Sequence, residues 1–296
     1  MSYSIRSHAL LARMPKSAVA VVPRRPRLTG GALAAVAVAT LLPAALAQEN
    51  GHDLAKAAQN PIADVISLPF QNNLDLGVGP RDKTRNTLNI QPVVPVRLGA
   101  DWNLITRTIL PVIWQDDLTP AGTGESEFGL GDLNPTLFFS PRGAGSVIWG
   151  AGPTFLIPTA TDEVLGTEKW GIGPAGVVVY TRGPLLAGVL ANNIWSFAGD
   201  DDREDVNQML IQPFVNYNFE GGWYVVSSPI ITANWEADDS GDRWTVPVGG
   251  GVGRVFSIGA QPVNLTGQAY YNVERPDSGA EWTLRLQFQF LFPQGR

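Results

Sequence analysis

The 296-residue chain reads as an all-β protein, a closed antiparallel transmembrane β-barrel of about twelve strands with short periplasmic turns and longer extracellular loops. Three observations carry that reading. The closing segment EWTLRLQFQFLF alternates: Trp282, Leu284, Leu286, Phe288, Phe290 and Phe292 fall on one face and Thr283, Arg285, Gln287 and Gln289 on the other, which is the period of a strand with one greasy and one wet face. Its length exceeds the roughly 5 to 6 residues common in soluble domains and matches a tilted strand crossing a bilayer. Similar segments recur along the chain with turn-rich links between them, as in a bacterial outer-membrane barrel.

Residues 1–47 differ in character from the rest of the chain. Arg24, Arg25 and Arg27 precede the apolar run LTGGALAAVAVATLLPAALA, and no acidic residue occurs before Glu49. A positive region, an apolar region and the small-residue site Ala45-Leu46-Ala47 predict a signal peptide cleaved before Gln48 and export of the mature chain. Removing it takes away Arg6, Arg13, Lys16, Arg24, Arg25 and Arg27 and no acid, so the formal charge moves from -6 to -12. An acidic chain without a basic stripe argues against nucleic acid as a partner. The sequence has no cysteine, which excludes disulfides, thiolate metal sites and a lipidated cysteine. No run after Ala47 is long and apolar enough for a membrane helix.

Residues 48–61 form a periplasmic N-terminal segment, and 62–296 the barrel. QENGHDLAKAA (48 to 58) is open to three readings, a disordered tail, a periplasmic helix or a plug entering the barrel; with no apolar anchor, the tail is the default. Twelve segments start near Val65, Arg85, Trp102, Gly129, Val147, Trp170, Leu185, Val206, Trp223, Arg243, Pro262 and Glu281. In RNTLNIQPVVPVRL the apolar Leu88, Ile90, Val94, Val96 and Leu98 oppose Thr87, Asn89, Gln91 and Arg97. QMLIQPFVNYNF and PVNLTGQAYYNV behave the same way, whereas WGAGPTFLIP and WTVPVGGGVG are blurred by glycine and by apolar residues on both faces. The links LGAD, SPRGAG, TRGP, EGG and SIGAQ are short and alternate with the longer polar links DLGVGPRDKT, QDDLTPAGTGESEF, TATDEVLGTEK, AGDDDRED, EADDSGD and ERPDSGA. Strict alternation places both termini in the periplasm. The nine tryptophans fall mostly near strand ends, where interfacial girdles want an apolar ring with one polar N–H.

Nine prolines oppose the reading, Pro92, Pro95, Pro111, Pro135, Pro153, Pro174, Pro213, Pro229 and Pro247, because proline removes a ladder hydrogen bond and a closed barrel has no edge to hide it. Bulges at these positions are the expected remedy.

The strings NPIADVISLPFQNN, LNIQPVVPV, DWNLITRTILPVIWQ, GLGDLNPTLFFSP, GPTFLIPTATD, NNIWSFAGD, SSPIITANWEA, RWTVPVGGGVGRVF and QAYYNVERPD occur in order. Together they resemble a family of bacterial outer-membrane barrels commonly called neuromedin U, a misnomer, and related to MetA-pathway phenol-degradation proteins. The resemblance covers roughly residues 59 to 293. It implies an outer-membrane barrel with a transport role and no established substrate, and the suggestion of aromatic solutes rests on it alone. The closing strand also resembles the aromatic-ended signal read by the outer-membrane assembly machinery, with the departure that Pro293 to Arg296 follow Phe292.

Candidate chemistry follows from parity. Asn89, Gln91, Asn103, Arg107, Asp132, Asn134, Gln208, Gln212, Asn216, Asn264, Gln268, Asn272, Arg285, Gln287 and Gln289 point inward as lumen-lining candidates. Amides dominate, so an open lumen would pass small uncharged or hydrophobic solutes rather than select strongly among ions. Amides bonding across a narrow barrel would instead fill it, giving a structural or surface-binding barrel. Arg107, Arg285 and Asp132 are candidates for an interior salt-bridge cluster. The acids Asp200, Asp201, Asp202, Asp238 and Asp239 are weak candidates for a rim cation bridging to lipopolysaccharide, through hard oxygen ligands; the alternative is ordinary solvated loops. Only His8 and His52 are present, so a histidine-dependent hydrolase lacks its base, and no enzyme is expected. Gly171 to Gly176 fits G-x-G-x-x-G but runs into the strand Val177-Val178-Val179-Tyr180, not a helix; no cofactor is expected. The expected partners are the lipid bilayer, lipopolysaccharide, the assembly machinery and a small solute.

Overall fold

The structure is a computed structural model and describes residues 54–118, 124–143 and 145–293; the predicted signal peptide, His8 and His52 lie outside them. Fifteen strands make one antiparallel sheet: β1 Ile66–Val78, β2 Lys83–Ile90, β3 Val93–Leu98, β4 Trp102–Gln115, β5 Glu127–Leu130, β6 Asn134–Pro141, β7 Val147–Leu156, β8 Lys169–Arg182, β9 Leu185–Gly199, β10 Asn207–Asn218, β11 Trp223–Ser227, β12 Ile231–Asn234, β13 Trp244–Ile258, β14 Gln261–Glu274 and β15 Trp282–Phe292. β2 with β3, β5 with β6, and β11 with β12 are each one stave in two pieces, so fifteen strands make twelve staves. β1 pairs with β15 from Ile66↔Phe292 to Leu76↔Trp282, and the barrel is closed. Among the described residues no helix is long and apolar enough to cross a membrane.

The prolines act mostly without bulges, which corrects that expectation. At Pro92 and Pro229 the strand is interrupted while the register on either side is kept. Only at Pro247 does the register shift. Pro95, Pro111, Pro135, Pro153, Pro174 and Pro213 sit in register. At Pro153 and Pro174 the missing N–H coincides with gaps in the ladder instead. β6 and β7 pair only at Thr136↔Thr154 and Phe139↔Ala151, with Pro153 in the gap, and β8–β9 pairing skips from Ile172↔Trp195 to Ala175↔Asn192, across Pro174.

Loop alternation fails at one link. β1 runs on to Val78 and β2 starts at Lys83, so the first long-side connection is a tight turn over 79–82. Gly79 and Asp82 take positive φ there (67° and 50°), and a bulge lies between Leu76 and Val78. The alternating Leu74, Leu76 and Val78 extend the strand into the segment read as a loop.

The outer face is apolar, with Leu286, Val248 and Val252 exposed. Trp102 and Trp149 stack edge-on at the short-turn end (6.1 Å), as do Trp235 and Trp244 at the long-loop end (5.6 Å). Trp102 and Trp114 bound β4; at about 3.3 Å per residue and a tilt of roughly 45°, the rise between them is about 28 Å, close to the apolar band of outer-membrane barrels.

Candidate functional site

Inward parity is fixed by the registers. β1, β4, β8, β13 and β15 turn odd-numbered residues inward, while β6, β9, β10 and β14 turn even-numbered ones inward, so amides and apolar groups share the interior. The long-loop half is polar. The short-turn half is apolar, with Ile105, Phe138, Ala175, Val177, Val179, Leu186, Leu190 and Phe214 in one buried cluster. Two inward glycines make room for this filling. A Cβ on Gly188 would overlap the Phe214 ring and the Val178 carbonyl, and one on Gly253 would overlap the Tyr224 ring.

A cavity of about 140 Å³ lies at the centre. Gln91, Arg107, Gln212, Asn216, Asn264, Gln268, Gln287 and Gln289 line it, together with Gln71, Tyr224 and Phe214. Asn272 and Arg285 line a second cavity of about 300 Å³ toward the long loops. Asn103 lies in a third of about 940 Å³ at the short-turn end. Gln208 is exposed in a mouth cavity of about 430 Å³. Asn89 pairs opposite Gln71. Asn134 is spent within the wall, donating to Thr154 Oγ1 (3.1 Å) and the Phe155 carbonyl (2.6 Å).

The interior salt-bridge cluster does not form. Asp132 accepts from Ala160 N (3.2 Å), Thr167 N (2.6 Å) and Thr167 Oγ1 (2.7 Å), pinning the 157–168 loop. Arg285 donates to Asn73 Oδ1 (2.9 Å) and the Ser228 carbonyl (3.0 Å) and lies over the Tyr270 ring at 5.0 Å. Arg107 donates to Gln91 Oε1 at 2.8 Å. Parity alone cannot show that the three sit apart along the barrel. Amides also bond to neighbours: Tyr224 OH donates to Asn264 Oδ1 (2.7 Å), and Asn264 Nδ2 to Gln289 Oε1 (3.1 Å). Gln71, Asn73 and Tyr224 were missed as lining residues; alternation from Ile66 would have placed Gln71 and Asn73 inward.

The N-terminal segment is not a tail over the described residues. Residues 54–59 are helical, and Ala55, only 1% exposed, packs with Tyr224, Val226, Val255 and Leu291 on the inner wall. Ile62 joins the apolar cluster of the short-turn half. Gln59 and Asn218 exchange amide hydrogen bonds of 2.7 and 3.1 Å.

At the rim, buried Lys169 pairs with exposed Asp205 at 3.1 Å, and Arg203 binds the Glu163 and Gly166 carbonyls (2.8 and 2.7 Å). The cation candidates do not converge. Asp200 accepts from Asp202 N (2.8 Å) and Asp239 from Gly241 N (2.8 Å), capping their own turns. Among the described residues no group of three or more acidic, histidine or cysteine side chains is placed to hold a metal, so Asp200, Asp201, Asp202, Asp238 and Asp239 are withdrawn as a ligand set.

No family model and no curated protein matches the chain. Among solved structures, an outer-membrane channel from Pseudomonas putida F1 superposes with a TM-score of 0.61 at 16% identity, over 77% of this chain and 96% of that one. That likeness shows a shared fold, the outer-membrane β-barrel. The CymD monoaromatic hydrocarbon channel matches at a TM-score of 0.44 and 8% identity, over 83% of this chain and 93% of that one. Outer membrane phospholipase A from Escherichia coli matches at 0.43 and 15%, over 82% of this chain and 98% of that one. The last corrects one expectation: an enzyme stands among the barrels of similar shape, so the exclusion of enzymatic activity from the sequence is withdrawn. A likeness this weak assigns no reaction to this chain.

Proposed function

We propose that the chain is an outer-membrane channel for passive passage of small uncharged or hydrophobic solutes, its short-turn end facing the periplasm. The observation that carries this is the central cavity, walled by neutral amides with a single charged side chain, Arg107, among the described lining residues. Such a lining solvates weakly polar solutes without holding them. The fold shared with a bacterial channel and the resemblance to the MetA-pathway phenol-degradation family support the same reading, and the latter suggests aromatic solutes. Residues 1–47 fit it as the export signal. The bilayer, with lipopolysaccharide in its outer leaflet, and the assembly machinery fit it as partners.

One observation favours the rival, a closed barrel: the helix at 54–59 and the apolar cluster occupy the short-turn half. Planar-bilayer conductance of the mature chain, with and without small aromatic solutes, decides between them. Discrete conductance steps are expected; no conductance from the mature chain or from one lacking 48–61 would sink the channel reading.

A further inference from the structure

Arg107 is unlike the other luminal arginines, of which Arg85 lines the second cavity and pairs with Asp75 at 3.6 Å. The Arg285 guanidinium is bonded on two sides and stacked on a ring. Arg107 has five donors and, among the described residues, one side-chain hydrogen bond, to Gln91 Oε1, and no ion pair. It faces the central cavity as the one charged side chain there, among neutral amides. A partly buried guanidinium without a carboxylate leaves its charge uncompensated, and its planar fork is built for two parallel bonds to an oxyanion. The same cavity carries apolar wall from Phe214, Leu190 and Val226. Its volume, about 140 Å³, is close to the roughly 150 Å³ of an engineered cavity that takes benzene.

We infer that Arg107 is the recognition group of a luminal subsite for a small monocarboxylate with an apolar or aromatic body. This goes beyond the channel reading, whose solutes are uncharged, by adding one singly charged class, and rests on that reading for the solute's passage. The guanidinium takes the carboxylate on its donors not used by Gln91, and the apolar wall takes the body. The acids of the long loops, Asp200, Asp201, Asp202 and Glu204 among them, disfavour multiply charged anions at the mouth more than singly charged ones.

The test uses the mature protein in detergent micelles with sodium benzoate as probe and benzyl alcohol as its uncharged counterpart. Benzoate raises the thermal midpoint and benzyl alcohol does not. Arg107→Gln weakens benzoate binding by roughly tenfold or more, the scale of a lost charge-assisted hydrogen bond; Arg107→Lys keeps part of it. Gln91→Glu supplies an internal carboxylate 2.8 Å from the guanidinium, so it abolishes the benzoate response without lowering the midpoint of the unliganded barrel. This variant carries the test should Arg107→Gln fail to assemble. No benzoate effect on the wild type, or equal protection of wild type and Gln91→Glu, overturns the inference. Bilayer recordings separate the two readings. Conductance that benzoate does not block, in a protein that does not bind it, removes the subsite and leaves the channel; benzoate binding without conductance leaves the subsite and removes the channel.

Discussion

Gln59 and Asn218 hold each other through two amide hydrogen bonds, 2.7 Å in one direction and 3.1 Å in the other, and so tie the N-terminal helix to the end of β10. Gln59→Leu removes both bonds and leaves Asn218 Nδ2 on the Pro184 carbonyl alone (3.0 Å). The loss of about 1 to 2 kcal/mol of docking free energy lowers the docked-to-undocked ratio by a factor of roughly 5 to 30. The expected outcome is a noisier, larger conductance in planar bilayers. Deletion of 48–61 is expected to give the largest conductance of the set. A deletion variant conducting like the full mature chain would show that the helix does not restrict the lumen.

Arg285 links β15 to Asn73 of β1 and, across the interior, to Ser228 in the gap between β11 and β12. Arg285→Met keeps the stem and removes the fork. It leaves Asn73 Oδ1 with only the long bond from Gln71 Nε2 (3.5 Å) and strands the Ser228 carbonyl, a cost of about 1.5 to 3 kcal/mol for bonds to a charged group. A lower urea midpoint in detergent is expected, together with a wider passage between the central and upper cavities. Arg285→Lys recovers less than half of the loss, because an ammonium cannot span both acceptors as a planar fork does. Equal stability of wild type and Arg285→Met would mean that water replaces both bonds.

The barrel itself was legible because β15 and its neighbours keep a period of two with one face against lipid, and the twelve segments lie on the twelve staves. The short-turn half of the lumen was not legible. Val177, Val179, Leu190 and Phe214 point inward yet are apolar, so the rule that wet means inside fails wherever the interior is packed rather than solvated. Residues 54–59 gave no periodic signal because so short a helix is held by docking rather than by propensity. The partners of Arg107, Asp132 and Arg285 depend on height along the barrel, which parity does not encode. Proline gave a true warning with the wrong mechanism: Pro153 and Pro174 leave ladder pairs unmade without shifting the register.

Gly253 faces Tyr224 across the β11–β13 ladder, where the two are register partners, and the three atoms nearest to a Cβ there all belong to the Tyr224 side chain. Gly253→Ala therefore displaces a ring whose hydroxyl binds Asn264 (2.7 Å) and Thr266 (2.6 Å), at about 1 to 3 kcal/mol. The double variant Gly253→Ala with Tyr224→Leu is expected to lose less than the sum of the single losses, since the clash is counted once. Gly188→Ala gives a contrast. Its Cβ also meets the Val178 carbonyl, so truncating Phe214 rescues it poorly. Urea midpoints of the single and double variants at each site check both statements, and additive losses at Gly253 would refute the steric account.

Asp205 sits outside the membrane-spanning strands and accepts from Lys169 Nζ (3.1 Å) and Ser196 Oγ (3.1 Å). The hydrogen bond from Lys169, then that from Ser196, then the charge of Lys169 hold its carboxyl below the ordinary value of 3.8. A carboxylate with a lowered folded-state pKa contributes stability that is fully present above its unfolded pKa and is lost as pH falls through the folded one. The clasp of the 200–206 loop should therefore be intact at pH 7 and at pH 5, and release only below about pH 4, the ordinary carboxylate range. Because the group is exposed, the effect is local: the barrel keeps its midpoint while the loop opens. Ser196 Oγ also accepts from Val206 N at 3.0 Å, so the exchange protection of that amide reports the clasp. Protection relative to the free-peptide rate is expected to drop in acid for the wild type. Asp205→Asn should start lower and stay flat across the same range, whereas an equally steep fall in that variant would assign the acid sensitivity to another group.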